Sequence, residues 1–356
     1  MIVFYFLLLF LMFFKSKIKI KSFQQDYLSY DSTTAIKGIF AILIFMRHVV
    51  PYVGTKSLWI DTSFVSADKF LGQGIVCLFL FYTGYGIYES YKKKRNYFDN
   101  FLENRLLKTL FSFDIAIIFF LLVRIFILQK KVGVIELAKA LVGISSLGNS
   151  NWYMFYVFIA YIIAFLCFKI CRKSDILAIC AVTLLTVCYC IYGKFGGLDL
   201  WWYDTALCVP LGMIYSYFKS KIEGFLQKKN WIYYFSLFIC ILIYAFSTHF
   251  HFQTRNNVLI IISRIFFTLL VVLITMKVSM KNKVLLWLGK YSFGIYIMQR
   301  IPMIIMINYM PSINRYLFVV LSLLLTIPFA FGFTKLSALL TKIVFAKSGA
   351  NAVTEK

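Results

Sequence analysis

Long apolar runs recur along the whole chain, and each is separated from the next by a short polar or basic segment. Each run could cross a hydrocarbon core of about 30 Å at a helical rise of about 1.5 Å per residue. The runs are continuous rather than alternating, which excludes a transmembrane β-barrel. We therefore predict an all-α fold, a polytopic transmembrane helical bundle with about ten core spans. The predicted spans are residues 33–53, 70–88, 109–128, 152–170, 175–193, 202–218, 231–248, 257–276, 285–307 and 315–336.

The N-terminal end has a different pattern. Its apolar stretch MIVFYFLLLFLMFF is followed, not preceded, by the basic residues Lys15, Lys17, Lys19 and Lys21. A secretory signal carries its positive charge before the apolar core. We predict a short membrane anchor and basic linker at 1–30, a transmembrane domain at 31–345 and a cytoplasmic tail at 346–356.

The charge of the chain is strongly positive. It has 38 Lys and Arg against 14 Asp and Glu, within 356 residues that are 61% hydrophobic. Most of the basic residues fall in the predicted loops on one side, which indicates a multi-pass protein of the cell membrane with a cytoplasmic C-terminus. No polar stretch is long enough for a separate basic domain, so nucleic acid is excluded as a partner. The outside loop 129–151 is long enough to carry a re-entrant or surface helix.

Charged side chains inside apolar spans are the first candidates for function, because each costs about 2.5–3.5 kcal/mol on insertion scales. Lys37 and His48 are eleven residues apart, which is three helical turns plus about 20°, so they share one helix face. Alternatively, Lys37 extends to the membrane surface and His48 makes a structural hydrogen bond. Arg124 is expected to extend to the surface as well, and Arg264 to face the bundle interior. The full set is Lys37, Arg47, His48, Asp114, Arg124, Arg264, Lys290 and Arg300.

Several segments, in order, resemble motifs of the acyltransferase-3 family of integral membrane acyltransferases, many of which O-acetylate bacterial saccharides. The stretch TTAIKGIFAILIFMRHVVPYV is similar to the family's first helix, with Lys37 in place of its Arg, then Gly38 and His48. Further resemblance lies in GQGIVCLFLFYTGYGIY, FLENRLLKTL, NWYMFYVFIAYIIAF and LGKYSFGIYIMQRIPM. This chain departs from the family at Lys108, which replaces a second Arg, and at Gln299, where many members have a His.

The resemblance implies an O-acyltransferase. It indicates the donor and the acceptor only as chemical classes. It implies acetyl-CoA or another acyl-CoA as donor and a saccharide or lipid-linked saccharide as acceptor. His48 and Lys37 are the implied catalytic residues, with His48 as general base or acyl carrier. The implied donor-binding residues are Lys37, Arg105 and Lys108, beside a basic cluster from Lys92 to Arg95. The predicted acceptor-binding residues are Gln299, Arg300, Trp152 and Thr83. Alternatively, Gln299 joins helices by a hydrogen bond, and Arg300 pairs with an acidic group.

A transporter or flippase of a saccharide or lipid intermediate is the alternative interpretation, with the buried charges along the path. Such folds have paired Gly- or Pro-broken helices, whereas the five prolines of this chain show no pairing. We predict no metal, because His249 and His251 lack further ligands nearby in the sequence. The predicted partners are acyl-CoA, the acceptor and the lipid bilayer. The sequence leaves open whether the protein is a monomer or a homodimer.

Overall fold

The computed structural model describes residues 3–53 and 59–351, and these residues form an almost entirely helical structure. Two π-helical turns, Leu102–Leu107 and Val123–Ile127, and one 3-10 turn, Leu200–Trp202, accompany the α-helices. The α-helices are α1 Val3–Phe13, α2 Tyr30–Val53, α3 Trp59–Leu71, α4 Gly74–Lys93, α5 Lys108–Leu122, α6 Val134–Leu141, α7 Trp152–Ile170, α8 Asp175–Phe195, α9 Cys208–Gln227, α10 Asn230–Thr254, α11 Asn257–Lys277, α12 Lys283–Lys290, α13 Ser292–Met298, α14 Arg300–Tyr309 and α15 Arg315–Asn351.

Eight helical segments of the described part are long and apolar enough to cross a membrane, so the predicted all-α, multi-pass fold is confirmed. They are Tyr30–Tyr52, Val65–Lys93, Leu102–Ile127, Trp152–Ile170, Asp175–Phe195, Asn230–Thr254, Asn257–Lys277 and Arg315–Ala346. The two other predicted spans are built differently. Residues 202–218 contain the start of α9, whose C-terminal half is polar, and 285–307 are divided among α12, α13 and α14.

The N-terminal segment is bound to the helices rather than isolated from them. Helix α1 has 11 residues, about half of what a membrane crossing requires. The strand β1 (Lys17–Ile18) pairs antiparallel with β2 (Val278–Ser279), which follows α11. The buried ammonium group of Lys277 donates hydrogen bonds to the carbonyl oxygens of Ile20 and Ser22. The linker after α1 is therefore attached to the end of α11.

Internal contacts divide the chain into two compact units. The first unit contains residues 1–42, 58–99 and 162–290, and the second contains 43–57, 100–161 and 291–356. Helices α2 and α7 each contribute one part to each unit. This division does not follow the sequence order, because each unit is assembled from three separate segments.

Within the first unit, α4 and α9 lie unusually close because glycines face backbone on both sides of the contact. A Cβ atom at Gly84 would lie 1.9 Å from the carbonyl oxygen of Val209, and one at Gly212 would lie 2.1 Å from that of Phe81. Small residues allow such close packing between membrane helices. The glycine that belongs to the Thr83-Gly84-Tyr85 motif therefore has a packing role.

Within the second unit, α15 packs against α5, α13 and α14. Aromatic side chains mark these contacts, including Tyr291 with Phe331 at 5.3 Å between ring centroids and Phe111 with Phe345 at 5.9 Å. The helix α6 confirms that the 129–151 loop carries a short helix of its own. The second unit also contains His48, from the end of α2, and the residues around it.

Candidate active site

A hydrogen bond joins His48 and Gln299 in the second unit. The Nε2 atom of Gln299 lies 2.7 Å from Nδ1 of His48 and donates a second hydrogen bond to the carbonyl oxygen of Tyr296 at 2.9 Å. Gln299 is fully buried, at the junction between α13 and α14, whereas His48 on α2 is partly exposed. The imidazole is therefore held at Nδ1 by a buried side chain.

These contacts determine which imidazole nitrogen carries the proton. A carbonyl oxygen accepts hydrogen bonds and cannot donate them, so the Gln299 atom beside Tyr296 must be the amide nitrogen. The same nitrogen then donates to Nδ1 of His48, and the proton of the neutral ring resides on Nε2. The oxygen Oε1 of Gln299 is buried without a hydrogen-bond partner among the described residues.

A row of aromatic rings begins beside the imidazole. The ring of Tyr296 lies 6.5 Å from that of His48, and Tyr153 contacts Tyr296 edge-on at 5.3 Å. Trp152 contacts Tyr153 at 6.1 Å between centroids. The hydroxyl of Tyr296 donates to the carbonyl oxygen of Ser150, which fixes the loop before α7. The structure thus brings the predicted residue Trp152 to the aromatic group beside His48.

Arg300 meets a residue that the sequence did not single out. Its Nη1 atom lies 3.4 Å from the carbonyl oxygen of Asn149, and its buried Nε atom has no hydrogen-bond partner in the part of the chain that the structure describes. The side chain of Asn149 is 1% exposed, and its Nδ2 atom also lacks a partner within the described chain. Arg300 is close enough to interact electrostatically with His48. Arg300 and Asn149, which are in contact, therefore each have a buried nitrogen donor with unused hydrogen-bonding capacity within the described chain.

Lys37 and Thr83, two other predicted site residues, belong to the first unit. The residue after Lys37 packs tightly: a Cβ atom at Gly38 would lie 2.2 Å from the carbonyl oxygen of Leu285 on α12. The hydroxyl of Thr83 donates to the carbonyl oxygen of Phe79 in its own helix at 2.9 Å. Gly38 therefore sets the packing of α2 on α12, while Thr83 satisfies its hydroxyl locally.

The predicted donor-binding pair Arg105 and Lys108 lies at the start of the third membrane segment, in the second unit. Arg105 is exposed on the π-helical turn Leu102–Leu107, and Lys108 begins α5 and donates to Oδ1 of Asn104. A π-turn takes more residues per turn than an α-helix. The two side chains are therefore less closely aligned than an α-helical spacing of three residues would place them.

The basic cluster from Lys92 to Arg95 is partly neutralised within the first unit. Lys92 pairs with Glu89, and Nη1 of Arg95 lies 2.8 Å from Oδ1 of Asp175. This hydrogen bond to Asp175 raises the pKa of the Arg95 guanidinium. Both residues are weaker candidates for phosphate binding than the sequence suggested, since each already has a carboxylate.

The other charged residues of the predicted spans have varied surroundings. Arg264 is buried, as predicted, and its Nε atom lies 3.2 Å from Oδ2 of Asp204. Arg124 was expected to extend to the membrane surface, but its Nη1 atom binds Oε1 of Glu136 on α6 at 2.6 Å. The Oδ1 atom of Asp114 has no hydrogen-bond partner among the residues described. In residues 3–53 and 59–351, no three His, Cys, Asp or Glu side chains are grouped as metal ligands.

Comparison with known proteins supports the resemblance. A family model described as an acyltransferase domain, acyltransferase-3, matches residues 30–335. No curated protein and no solved structure matches the chain. The matched range begins at α2 and ends within α15, so it includes His48, Gln299, Arg300 and the loop with Asn149. The match covers most of the chain, and the protein therefore belongs to the acyltransferase-3 family of membrane acyltransferases.

Proposed function

We propose that the protein transfers an acetyl or similar acyl group from cytoplasmic acyl-CoA to a hydroxyl of a saccharide or lipid-linked saccharide. The observation that carries this proposal is the imidazole of His48, which lies on a membrane helix and is held by the buried amide of Gln299. Histidine is suited to proton transfer and to nucleophilic catalysis. Tyr296 beside His48 and the polar loop before α7 are the proposed contacts of the acceptor.

The reaction with His48 as general base has a simple balance. The acceptor oxygen attacks the thioester carbonyl carbon, its proton passes to Nε2 of His48, and the carbon–sulfur bond breaks. The same proton then neutralises the leaving thiolate of coenzyme A. In the alternative route Nε2 itself attacks the thioester and carries the acyl group before the acceptor takes it. Both routes require the lone pair of Nε2.

Gln299 controls access to that lone pair. In the observed arrangement its amide nitrogen donates to Nδ1, so Nε2 carries the proton. Turning the amide over would present Oε1 to Nδ1–H and expose the lone pair of Nε2. The turn gives the unpartnered Oε1 a hydrogen bond, but it would bring Oε1 against the carbonyl oxygen of Tyr296. The side chain must therefore also move away from that carbonyl, and the ring must exchange its Nε2 proton with solvent for one on Nδ1. We infer that the resting ring is protonated on Nε2 and that substrate binding favours the turned amide.

The donor is expected to bind through its phosphate groups. Lys37, Arg105 and Lys108 supply positive charge for these groups, and charge-assisted hydrogen bonds to phosphate are among the stronger polar contacts. Eleven residues separate Lys37 from His48 in the sequence, a helical rise of about 16 Å. The extended arm of coenzyme A has a comparable length. Along α2 itself, this length matches the rise between the two residues that are proposed to bind the phosphates and to act on the thioester.

The distribution of basic residues supports the direction of the reaction. Because Lys/Arg-rich loops face the cytoplasm in membrane proteins, this distribution supports a cytoplasmic side of the cell membrane for the linker after α1 and for the C-terminus. Acyl-CoA then arrives from the cytoplasm, while the acceptor enters from the opposite side. The bilayer is part of the proposed substrate environment, because a lipid-linked acceptor diffuses within it.

The test is binding and turnover of labelled acetyl-CoA by the purified protein in lipid nanodiscs. We compare the wild type with His48→Ala and with His249→Ala as the matched control. His249 is exposed and is hydrogen-bonded to Gln253 in its own helix. We expect saturable binding in all three proteins. Thioester hydrolysis should fall by about 10²-fold or more in His48→Ala alone. Full turnover by a folded His48→Ala variant would contradict the assigned role.

A further inference from the structure

Arg300 differs from Arg264 and Arg124, two other arginines of the membrane segments, which each form an ion pair. Arg264 has the carboxylate of Asp204, and Arg124 has that of Glu136. Within residues 3–53 and 59–351, no carboxylate lies within ion-pair distance of Arg300, and one buried nitrogen, Nε, has no hydrogen-bond partner. A partly buried guanidinium without a counter-ion is costly. The guanidinium of Arg300 has no negatively charged partner among the described residues, and a ligand with a negative charge would supply one.

Asn149 adds a second unused donor beside this charge. Its Oδ1 atom accepts hydrogen bonds from the backbone nitrogen of Leu147 at 3.1 Å and from the hydroxyl of Ser146 at 3.3 Å. These contacts fix the orientation of the amide, so the buried atom without a partner is the donor Nδ2. Asn149 and Arg300 are in contact, and each has one nitrogen donor, Nδ2 and Nε respectively, without a hydrogen-bond partner among the described residues. Their complement is an oxygen acceptor with negative charge.

The loop that holds Asn149 is well fixed within the second unit. Gly148 has a φ of 121°, a conformation that favours glycine. The amide of Asn151 donates to the carbonyl oxygen of Gly143 at 2.7 Å, and the Tyr296 hydroxyl binds Ser150. The two unused donors therefore keep their positions without a ligand, which lowers the entropic cost of binding one.

The position of these donors relates them to the proposed reaction. Arg300 follows Gln299, whose amide binds the imidazole of His48, and Arg300 interacts electrostatically with that ring. A group bound by Arg300 and Asn149 would thus lie in the same unit as His48, next to the residue that holds the imidazole. A neutral substrate would leave both donors unsatisfied, whereas a carboxylate or phosphate would satisfy them.

We propose that Arg300 and Asn149 form an anion subsite that binds a carboxylate or phosphate carried by the substrate. This proposal rests on the proposed function and narrows its substrate class from a hydroxyl compound to an acidic one. The negative group can be carried by the acceptor or by the acyl chain, and the chemistry of recognition is the same in either case. Arg300 sets specificity, since the group that it binds is not the reacting atom.

The experiment measures binding rather than turnover, so failure of the proposed reaction does not affect it. Thermal stabilisation of the nanodisc-embedded protein is measured with D-glucuronate, glucose and inorganic phosphate. A second arm compares succinyl-CoA with butyryl-CoA, which differ in a terminal carboxylate. The variants are Arg300→Gln, Arg300→Lys and Asn149→Ala, with Arg124→Gln as the control for loss of an arginine in the same unit.

We expect an anionic probe to bind the wild type more tightly than its neutral counterpart. This preference should weaken by about tenfold in Arg300→Gln and Asn149→Ala and persist in Arg124→Gln. Arg300→Lys keeps the charge but loses the fork, so it should retain part of the preference. Preference for glucuronate or phosphate assigns the subsite to the acceptor, and preference for succinyl-CoA assigns it to the acyl chain.

Two results would overturn the proposal. One is an equal response of the wild type and the folded Arg300 and Asn149 variants to every anionic probe. The other is an equal loss of affinity for neutral and anionic probes, which would indicate a structural role for Arg300. If Arg300→Gln does not fold, Arg300→Lys and Asn149→Ala decide between these outcomes. If the wild type shows no thioester hydrolysis that depends on His48, this result counts against the proposed reaction and not against the anion subsite.

Discussion

The amide nitrogen of Gln299 lies 2.7 Å from Nδ1 of His48 and 2.9 Å from the carbonyl oxygen of Tyr296. One nitrogen thus donates to both a backbone acceptor and the imidazole. The backbone acceptor fixes the amide, and the amide in turn fixes the tautomer of the ring. If Gln299 only joined two helices by a hydrogen bond, other polar residues could replace it. Its two hydrogen bonds give it a specific effect on the tautomer of His48.

The first prediction concerns the tautomer of His48. With three histidines in the chain, ¹⁵N-histidine labelling gives a simple solid-state NMR spectrum, and His48→Ala assigns the signals. We expect the neutral His48 ring to be protonated on Nε2, because Gln299 donates to Nδ1. Gln299→Leu should remove this bias and give a mixture of tautomers. A wild-type ring protonated on Nδ1 would mean that the amide is turned over in the resting protein.

How far the sequence predicts this fold depends on the element. The long membrane helices were predictable, because a chain in lipid must satisfy its backbone hydrogen bonds within each apolar run. The division of 285–307 into α12, α13 and α14 was not, since the whole segment has the apolar pattern of one membrane helix. The π-helical turn Leu102–Leu107 was missed for the same reason: its apolar and charged pattern is compatible with a regular helix.

The site shows a similar limit. His48, Gln299 and Arg300 were identifiable because polar side chains stand out within apolar runs. Asn149 lies in the polar stretch SSLGNSN, where an asparagine gives no signal, and its burial results from the folding of the loop. The partner of Arg124 was also hidden, because Glu136 lies on the short helix α6 and not on a membrane span. Contacts from loops are the part that the sequence does not supply.

The second prediction concerns the donor. Lys37→Ala and Arg105→Ala should each raise KM for acetyl-CoA, by about tenfold where a charge-assisted contact to phosphate is lost. Neither variant should change KM for S-acetylpantetheine, which lacks the nucleotide phosphates. Lys131→Ala, at an exposed position before α6, serves as the control for loss of positive charge. Unchanged constants for acetyl-CoA in both variants would exclude these residues from the donor site.

The third prediction concerns the contact between α4 and α9. Gly84→Ala would place a methyl group 1.9 Å from the carbonyl oxygen of Val209, so the helices must separate. We expect a loss of about 1–3 kcal/mol, measured as a lower midpoint of thermal unfolding in detergent. Gly86 lies two residues further on α4 with nothing within 4 Å of its Cβ position. Gly86→Ala should be neutral or stabilising, by up to about 1 kcal/mol; equal effects at the two positions would exclude close packing as the reason for Gly84.

The fourth prediction concerns the buried ion pair of the first unit. Arg264 and Asp204 have side chains that are 6% and 2% exposed, with 3.2 Å between Nε and Oδ2. Either Arg264→Met or Asp204→Leu alone should destabilise the protein by about 3–5 kcal/mol, because each leaves an uncompensated buried charge. The double variant should regain much of this loss, since a buried pair replaced by apolar side chains often costs little.

The stability of the two single variants and of the double variant is measured as resistance to unfolding in sodium dodecyl sulfate. Arg124→Leu, which removes a more exposed ion pair with Glu136, provides the comparison and should cost less. Additive losses in the double variant would show that Arg264 and Asp204 stabilise the fold through separate contacts. For Arg264 the second contact is already visible, because its Nη1 atom donates to the carbonyl oxygen of Leu71 at 3.1 Å. We therefore expect the double variant to remain somewhat less stable than the wild type, by the loss of that one hydrogen bond.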